Sequence, residues 1–436
     1  MKVLSMTAGA ADMYCGSCLR DNAVARELIR QGHDVTLIPI YTPTKTDEAN
    51  VSQKGKVLFG GINVYLQQHW PVFRHTPWLV DRILDSSWAL KAASKRSIAV
   101  NPKFLGEMTV SMLEGRAGAL AKEFDKLKTW LRDFDRPDIV VLPNTMVMAM
   151  APVIREVYSG PIAVTIQGDD LFLDGLIEPY RSRSMKLIRD LAAQVDGFIA
   201  ISSSYADRMS SYFGISRAGI HVVPLGVEHE DFRPQTVRHD RPFTIGYLAR
   251  IAPEKGLHQL AESYRRFREK SSRPARLEVA GYLAPEFHTY LKSIQEQINA
   301  WGLASEFHYH GELDREQKIR FLSNLDAFSV PIVYDDPKGL YVLEAMASGV
   351  PVVAPDRGAM HEHIHRFGGG LLVKADDPDA IASAFLELQE DPDHRRHLGQ
   401  IGRLGIEKYG TLATMAQRTL EVYGAISAAL REPVSH

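Results

Sequence analysis

Cysteine is nearly absent: Cys15 and Cys18 are the only two in 436 residues. That excludes a disulfide-built scaffold and fits a reducing compartment. A dominant charge sign is missing as well. Lysine and arginine number 51 against 53 acids, a formal net charge of −2. A chain so balanced carries no electrostatic footprint for nucleic acid. No run approaches the roughly 20 apolar residues of a membrane-spanning helix. The start, Met1-Lys2-Val3-Leu4-Ser5-Met6-Thr7, breaks into Ala8-Gly9-Ala10 too early for a secretory leader. A cytoplasmic protein without a transmembrane span is the expectation. Internal repeats and low-complexity tracts are also lacking. Present instead is 45% hydrophobic residue, enough for packed cores, in a length that suggests two or three domains.

Those apolar residues come in short runs separated by amphipathic stretches. The spacing predicts strands at 2–7, 34–40, 139–142, 162–166, 198–201 and 221–223, with a helix over 16–31 between the first two. A second series of strands is predicted at 244–248, 276–280, 306–309, 327–330, 350–354 and 370–373, again with helices between. Strand–helix alternation at this spacing argues for parallel, doubly wound sheets of the α/β class. Between the series, residues 226–242 are dense in charge, His and Pro and read as a linker. The expected domains are 1–225 and 243–410, with a terminal helical segment over 411–436. Residues 68–116 interrupt the alternation. The aromatics from Trp70 to Trp78, and Trp88, read as an excursion on the first domain or as an acceptor-binding or membrane-touching surface.

The stretch from Tyr334 to Ala354 organises the rest. Pro337 and Gly339 are expected to open a helix whose buried face holds Leu340, Leu343, Met346 and Ala347. Gly349 and Pro351 should end it, and a buried strand should follow. Glu344 is the one carboxylate of this apolar helix. A buried, unpaired carboxylate costs several kcal/mol, so Glu344 requires a polar partner from the protein or from a ligand. Asp336 precedes the helix. The Lys338-Gly339-Leu340 end offers backbone N–H groups and a positive dipole to a phosphate or hydroxyl cluster. Locally, Asp336 is equally well an N-cap with proline behind it.

Asp336-x7-Glu344 followed by Ala345-Met346-Ala347-x-Gly349-x-Pro351-Val352-Val353-Ala354 resembles the Glu-x7-Glu motif of the retaining family-4 glycosyltransferases. The first acid departs from that motif, since Asp reaches about 1.5 Å less than Glu. The resemblance implies the GT-B arrangement: two Rossmann-like domains facing a central cleft, the last helix crossing back to the first domain. It implies a retaining, metal-independent hexosyltransferase moving a sugar from a nucleoside diphosphate sugar to an acceptor hydroxyl, with no cofactor. UDP is favoured over GDP by family frequency. The adjacent pairs Asp169-Asp170 and Asp376-Asp377 are not read as a metal signature.

By the same resemblance, Gly246–Gly256 is the pyrophosphate stretch, with Arg250 and Lys255 neutralising the departing diphosphate. Glu344 would bind the ribose hydroxyls. Asp336, Lys338, Gly339 and Leu340 would face the donor sugar and phosphate, and Glu312 and Leu313 the nucleobase. Gly16 stands where many members have a Gly-Gly loop. Gln167 stands where they commonly have His, and Gln cannot take a proton. Asp169 or Asp170 would then serve as a base, unless they cap a turn. Arg20, Asp169 and Asp170 are the acceptor-side candidates. Two other readings stay open: a sugar-nucleotide-binding protein with little transfer activity, and a protein regulated through a Cys15/Cys18 redox pair at a helix N-terminus.

Overall fold

The computed structural model describes residues 1–9, 15–53, 57–70, 72–73, 102–232 and 241–430. The chain divides into two compact units, residues 1–224 with 416–436, and residues 225–415.

The first unit is built on strands β1 (Lys2–Thr7), β2 (Asp34–Pro39), β3 (Ile139–Leu142), β4 (Ile162–Ile166), β5 (Gly197–Ala200) and β6 (Ile220–Val222), all parallel, in the order β2-β1-β3-β4-β5-β6. β3, β4 and β5 are buried along their whole length, as strands covered on both faces must be. The second unit carries β7 (Phe243–Leu248), β8 (Ala275–Ala280), β9 (Phe307–Tyr309), β10 (Ala327–Phe328), β11 (Val352–Pro355) and β12 (Gly370–Val373). They form a second parallel sheet in the order β12-β11-β10-β7-β8-β9.

Eight helices matter below: α1 (Gly16–Arg30), α2 (Asp169–Asp174), α3 (Ser203–Phe213), α4 (Leu257–Lys270), α5 (Arg315–Leu322), α6 (Leu340–Ala347), α7 (Ala359–Phe367) and α8 (Leu412–Ala429). On α8, Tyr423 and Ile426 are buried, with Ile426 against Gly197 at the start of β5. Ahead of it, Val227 pairs with Thr411 in an isolated parallel bridge.

Each sheet reverses its winding once. The reversal lies between β1 and β3 in the first and between β7 and β10 in the second. Ligands of open α/β sheets bind beyond the carboxyl ends of the strands at such a switch point.

Several sequence-derived boundaries shift. β10 stops at Phe328 rather than residue 330, and β11 starts at Val352 rather than residue 350. The second shift has a visible cause. Gly349, at φ +72°, turns the chain out of α6, with Gly349 N–H on Met346 O and Val350 N–H on Ala345 O. That glycine-centred helix stop occupies the residues expected to begin the strand. The later part of the aromatic segment, from Arg74 to Trp78 with Trp88, and residues 233–240 of the 226–242 stretch lie outside the described residues.

Candidate active site

At the second sheet's switch point, the turn after β7 is stitched to both neighbours by backbone. Ile251 N–H reaches Tyr282 O at 2.9 Å, and Val333 N–H reaches Glu254 O at 3.1 Å. Gly256, at φ +73°, lies against Pro331, where a Cβ would sit 1.8 Å from the carbonyl oxygen. Only glycine fits such an approach.

Lys255 leaves this turn buried, with 8% of its surface exposed. Its Nζ donates to Asp336 Oδ2 at 2.5 Å and to Tyr334 Oη at 2.8 Å. It also stands over the rings of Tyr334 and Tyr341, 5.0 and 5.4 Å from their centroids. Asp336 accepts further from Tyr341 Oη at 2.9 Å and from Lys338 N–H at 3.1 Å. Burial pushes the Asp336 carboxyl up, but the Lys255 ammonium and the Lys338 N–H outweigh it and hold the group well below the usual carboxylate range. The Tyr334 and Tyr341 hydroxyls move up, by burial first and then by the Asp336 charge.

The helix beyond starts later than its sequence suggests. Pro337 is not its first residue. Gly339, at φ +61°, is the N-cap, and α6 begins at Leu340. Asp336 therefore does not cap α6 but bonds Lys338 N–H two residues on. His363 of α7 is buried, its pKa lowered by burial, and its Nε2 donates to Lys338 O at 2.7 Å. Behind Gly339 lie Met360 and His363, so a side chain there would have to displace the Met360 methyl as well as adopt the left-handed backbone.

Glu344 has its polar partner. Lys318 Nζ, on α5, donates to Glu344 Oε1 at 2.6 Å, with 11% and 18% of the two side chains exposed. An Asp314/Gln317 capping box fixes the start of α5. Arg250 stays exposed and pairs with Glu254 Oε1 at 3.1 Å. The two cations expected to converge are thus each engaged by a different carboxylate. Glu312 is exposed and Leu313 half-buried, in the loop between β9 and α5.

In the first unit, Arg20 Nη1 lies 3.3 Å from Asp21 Oδ1 and 3.5 Å from Thr165 Oγ1. Gln167 Nε2 donates to Asp21 Oδ1 at 3.4 Å and to Pro143 O at 3.3 Å. Among the described residues, Arg20 Nε, Asp21 Oδ2 and Gln167 Oε1 are buried without a hydrogen-bond partner. Burial pushes the Asp21 carboxyl up by more than the Arg20 charge lowers it.

Asp169 and Asp170 are both engaged by neighbouring protein groups. Asp169 Oδ2 accepts from Thr145 N–H at 2.8 Å and Thr145 Oγ1 at 2.7 Å. Asp170 accepts from Tyr205 Oη of α3 at 2.7 Å and pairs with Arg208 at 3.0 Å. Both are buried, and neither caps α2, whose N-cap is Gly168 at φ +110°. They brace the loop after β4. Cys15 is the half-buried N-cap of α1, beside the half-buried Gly16, and Cys18 is fully buried. Hydrogen bonding to Cys15, together with burial, pushes the Cys18 thiol far up.

Lys318, Tyr334 and Tyr341 are the site residues that sequence reasoning missed. Lys318 left one signal. It shares the buried face of α5 with Leu322, four residues on, and a cation on an apolar face needs a partner. The chain also carries Asp-x-Asp triplets at Asp133/Asp135, Asp377/Asp379 and Asp391/Asp393, which the adjacent-pair argument leaves out. Asp377 and Asp391 cap helices. No group of three or more metal-ligating side chains gathers among the described residues.

Two family models match this chain. "Glycosyltransferase Family 4" matches residues 108–231 and "Glycosyl transferases group 1" residues 228–405. The chain belongs to the family-4 glycosyltransferases. This glycosyltransferase is 26% identical over 322 residues to a glycogen synthase of Mycobacterium tuberculosis, covering 73% of this chain and 75% of that one. Its fold is similar to that of sucrose-phosphate synthase from Thermosynechococcus elongatus, with a TM-score of 0.70 at 17% identity, covering 98% of this chain and 100% of that one. It is also similar to Anabaena HepE, solved in complex with UDP-glucose, with a TM-score of 0.66 at 15% identity, covering 98% and 100%. These likenesses, with the two six-stranded parallel sheets, give the glycosyltransferase the GT-B fold. No described helix is long and apolar enough to cross a membrane.

Proposed function

We propose that this glycosyltransferase moves a sugar from a nucleoside diphosphate sugar to an acceptor hydroxyl, retaining the anomeric configuration and using no metal. The observation that carries this is the meeting of Lys255, Tyr334, Asp336 and Tyr341 beside the left-handed Gly339, where the second sheet reverses its winding. Lys255 is the cation within reach of a diphosphate there, and Arg250 lies on the same turn. The Gly339-Leu340 backbone at the start of α6 and Lys338 receive phosphate or sugar oxygens. Asp336 stays ionised as an acceptor for a sugar hydroxyl. Glu344 takes the ribose, and Glu312 and Leu313 the base. In the first unit, Gly16 and Gln167 belong to the donor side and Arg20 to the acceptor side. Asp169 and Asp170 are left with the structural bonds described above.

In the transfer, the bond from the anomeric carbon to the diphosphate oxygen breaks and a bond to the acceptor oxygen forms on the same face. The acceptor proton passes to the departing phosphate, whose charge Lys255 and Arg250 offset. A proton acceptor on the protein is then unnecessary, which accommodates Gln167. UDP is the favoured nucleotide, supported by family frequency and by the UDP-glucose bound to HepE. The protein acts in the cytoplasm.

Thermal stabilisation by UDP, GDP, ADP and their sugars tests the donor site. A shift with one diphosphate is expected, and no shift with any overturns the proposal. The anomeric configuration of the product, followed by NMR with and without EDTA, tests retention and metal independence. One feature favours a second reading, a sugar-nucleotide binder with little turnover: Asp336 already neutralises Lys255 at 2.5 Å. Nucleotide affinity without transfer or donor hydrolysis would select it.

A further inference from the structure

Both acids of the 336–344 motif carry a lysine from another element. Asp336 has Lys255 from the turn after β7, and Glu344 has Lys318 from α5. Lys318 lies 26 residues before Glu344 in sequence and reaches it from a helix anchored by its own capping box. Its side chain is only 11% exposed. A lysine is placed this deep at the cost of its long side chain's rotamer freedom. A contact at 2.6 Å with a carboxylate is a short, charge-assisted hydrogen bond.

Glutamate reaches its carboxylate through three rotatable bonds. Left alone, the group can turn to follow whichever ligand hydroxyl is offered. With Oε1 held by Lys318, Oε2 is presented in one direction. A fixed acceptor penalises a ligand that lacks the hydroxyl it points at, because the remaining polar group is left unpaired. A free acceptor turns and recovers part of the loss.

Building on the assignment of Glu344 to the ribose, we propose that Lys318 is a positioning residue that aims Glu344 and sets its discrimination between ribose and deoxyribose. Lys318 need not touch the nucleotide. It converts a flexible carboxylate into a directional one, as an outer-shell partner orients a metal ligand.

The test measures dissociation constants of UDP, GDP and ADP and of their 2′-deoxy and 3′-deoxy counterparts. Wild type, Lys318→Met, Lys318→Arg and Glu344→Gln are compared. The wild-type chain is expected to prefer the ribose form of its diphosphate over one deoxy form by about tenfold or more, the range of a hydrogen bond to a charged group. Lys318→Met should weaken binding of the ribose form severalfold and shrink the preference to within about twofold. Lys318→Arg, which can still hold the carboxylate, should restore much of the preference. Melting temperature is recorded for every variant. A lower melting temperature in Lys318→Met with an unchanged ribose preference would show a purely structural lysine and overturn the assignment, leaving the donor site intact. Loss of the preference in Glu344→Gln alone would likewise confine recognition to the glutamate. No diphosphate binding by the wild-type chain would overturn the donor site and this assignment together.

Discussion

In the second unit each acid of the motif meets its lysine at 2.5 or 2.6 Å. In the first unit the Arg20–Asp21–Gln167 group spans 3.3–3.5 Å and, among the described residues, leaves three buried polar atoms without a partner. The same sheet design therefore holds charge in two ways. Short ion pairs keep Asp336 ionised and geometrically fixed, while burial raises the Asp21 carboxyl by more than its looser contacts lower it. Close pairing offsets desolvation, and burial without it does not.

Removing Lys255 is the strongest way to break this contrast. Lys255→Ala strands Asp336, which is 3% exposed, and should cost about 3–5 kcal/mol of stability, the range for breaking a buried pair. Transfer should fall by more than about tenfold, near 1.4 kcal/mol per decade. Denaturant melts and turnover check both, and a near-normal rate would remove Lys255 from leaving-group stabilisation. The acid limb sharpens the same point. Asp336 has a lowered folded pKa, so its stabilisation is complete above the unfolded value of about 3.9 and is lost as pH falls below it. Wild-type stability should drop below about pH 4, and Asp336→Asn should flatten that drop.

Glu344→Gln comes next, with nucleotide affinity falling by about tenfold in titration calorimetry; unchanged affinity would refute the ribose assignment. Asp21→Asn should be milder, changing stability at pH 7 by about 1 kcal/mol or less, within the ordinary range of point substitutions. Here the pH sign reverses. A raised folded pKa gives stability that is full below the unfolded value and declines as pH rises toward the folded one. The variant should lose that decline, which urea melts across about pH 4–7 would detect. The smallest effect is expected from Cys15→Ser, with turnover within about twofold of wild type, reducing agent or not. A reductant-dependent rate abolished by this change would establish a thiol role.

The sheets were legible because parallel strands buried on both faces are apolar runs of restricted length, as in Ile162–Ile166. The β7 turn and the 334–354 stretch were legible because glycine, proline and charge cluster at a strand's end. The partners were not. Lys318 meets Glu344, Thr145 meets Asp169 and Tyr205 meets Asp170 across 26, 24 and 35 residues. No local periodicity encodes such pairings. Pro337 misled for a local reason: the Asp336 carboxylate bonds Lys338 N–H, and the turn delays the helix until Gly339 can adopt φ +61°.

Gly256 and Gly281 flank the β7 turn, each pressed on a neighbouring backbone. A Cβ on the first would lie 1.8 Å from Pro331 O, and on the second 1.7 Å from Ala249 O. Around the proposed donor site, main-chain contacts at these two glycines hold the strand ends close. Side chains such as Arg250, Glu312 and Lys318 can be exchanged without moving those rails. The feature separates two heritable traits, the dimensions of the strand-end frame and the chemical preference of the side chains on it. On the proposed function, a lineage or an engineer can alter the nucleotide accepted through the second while leaving the first untouched.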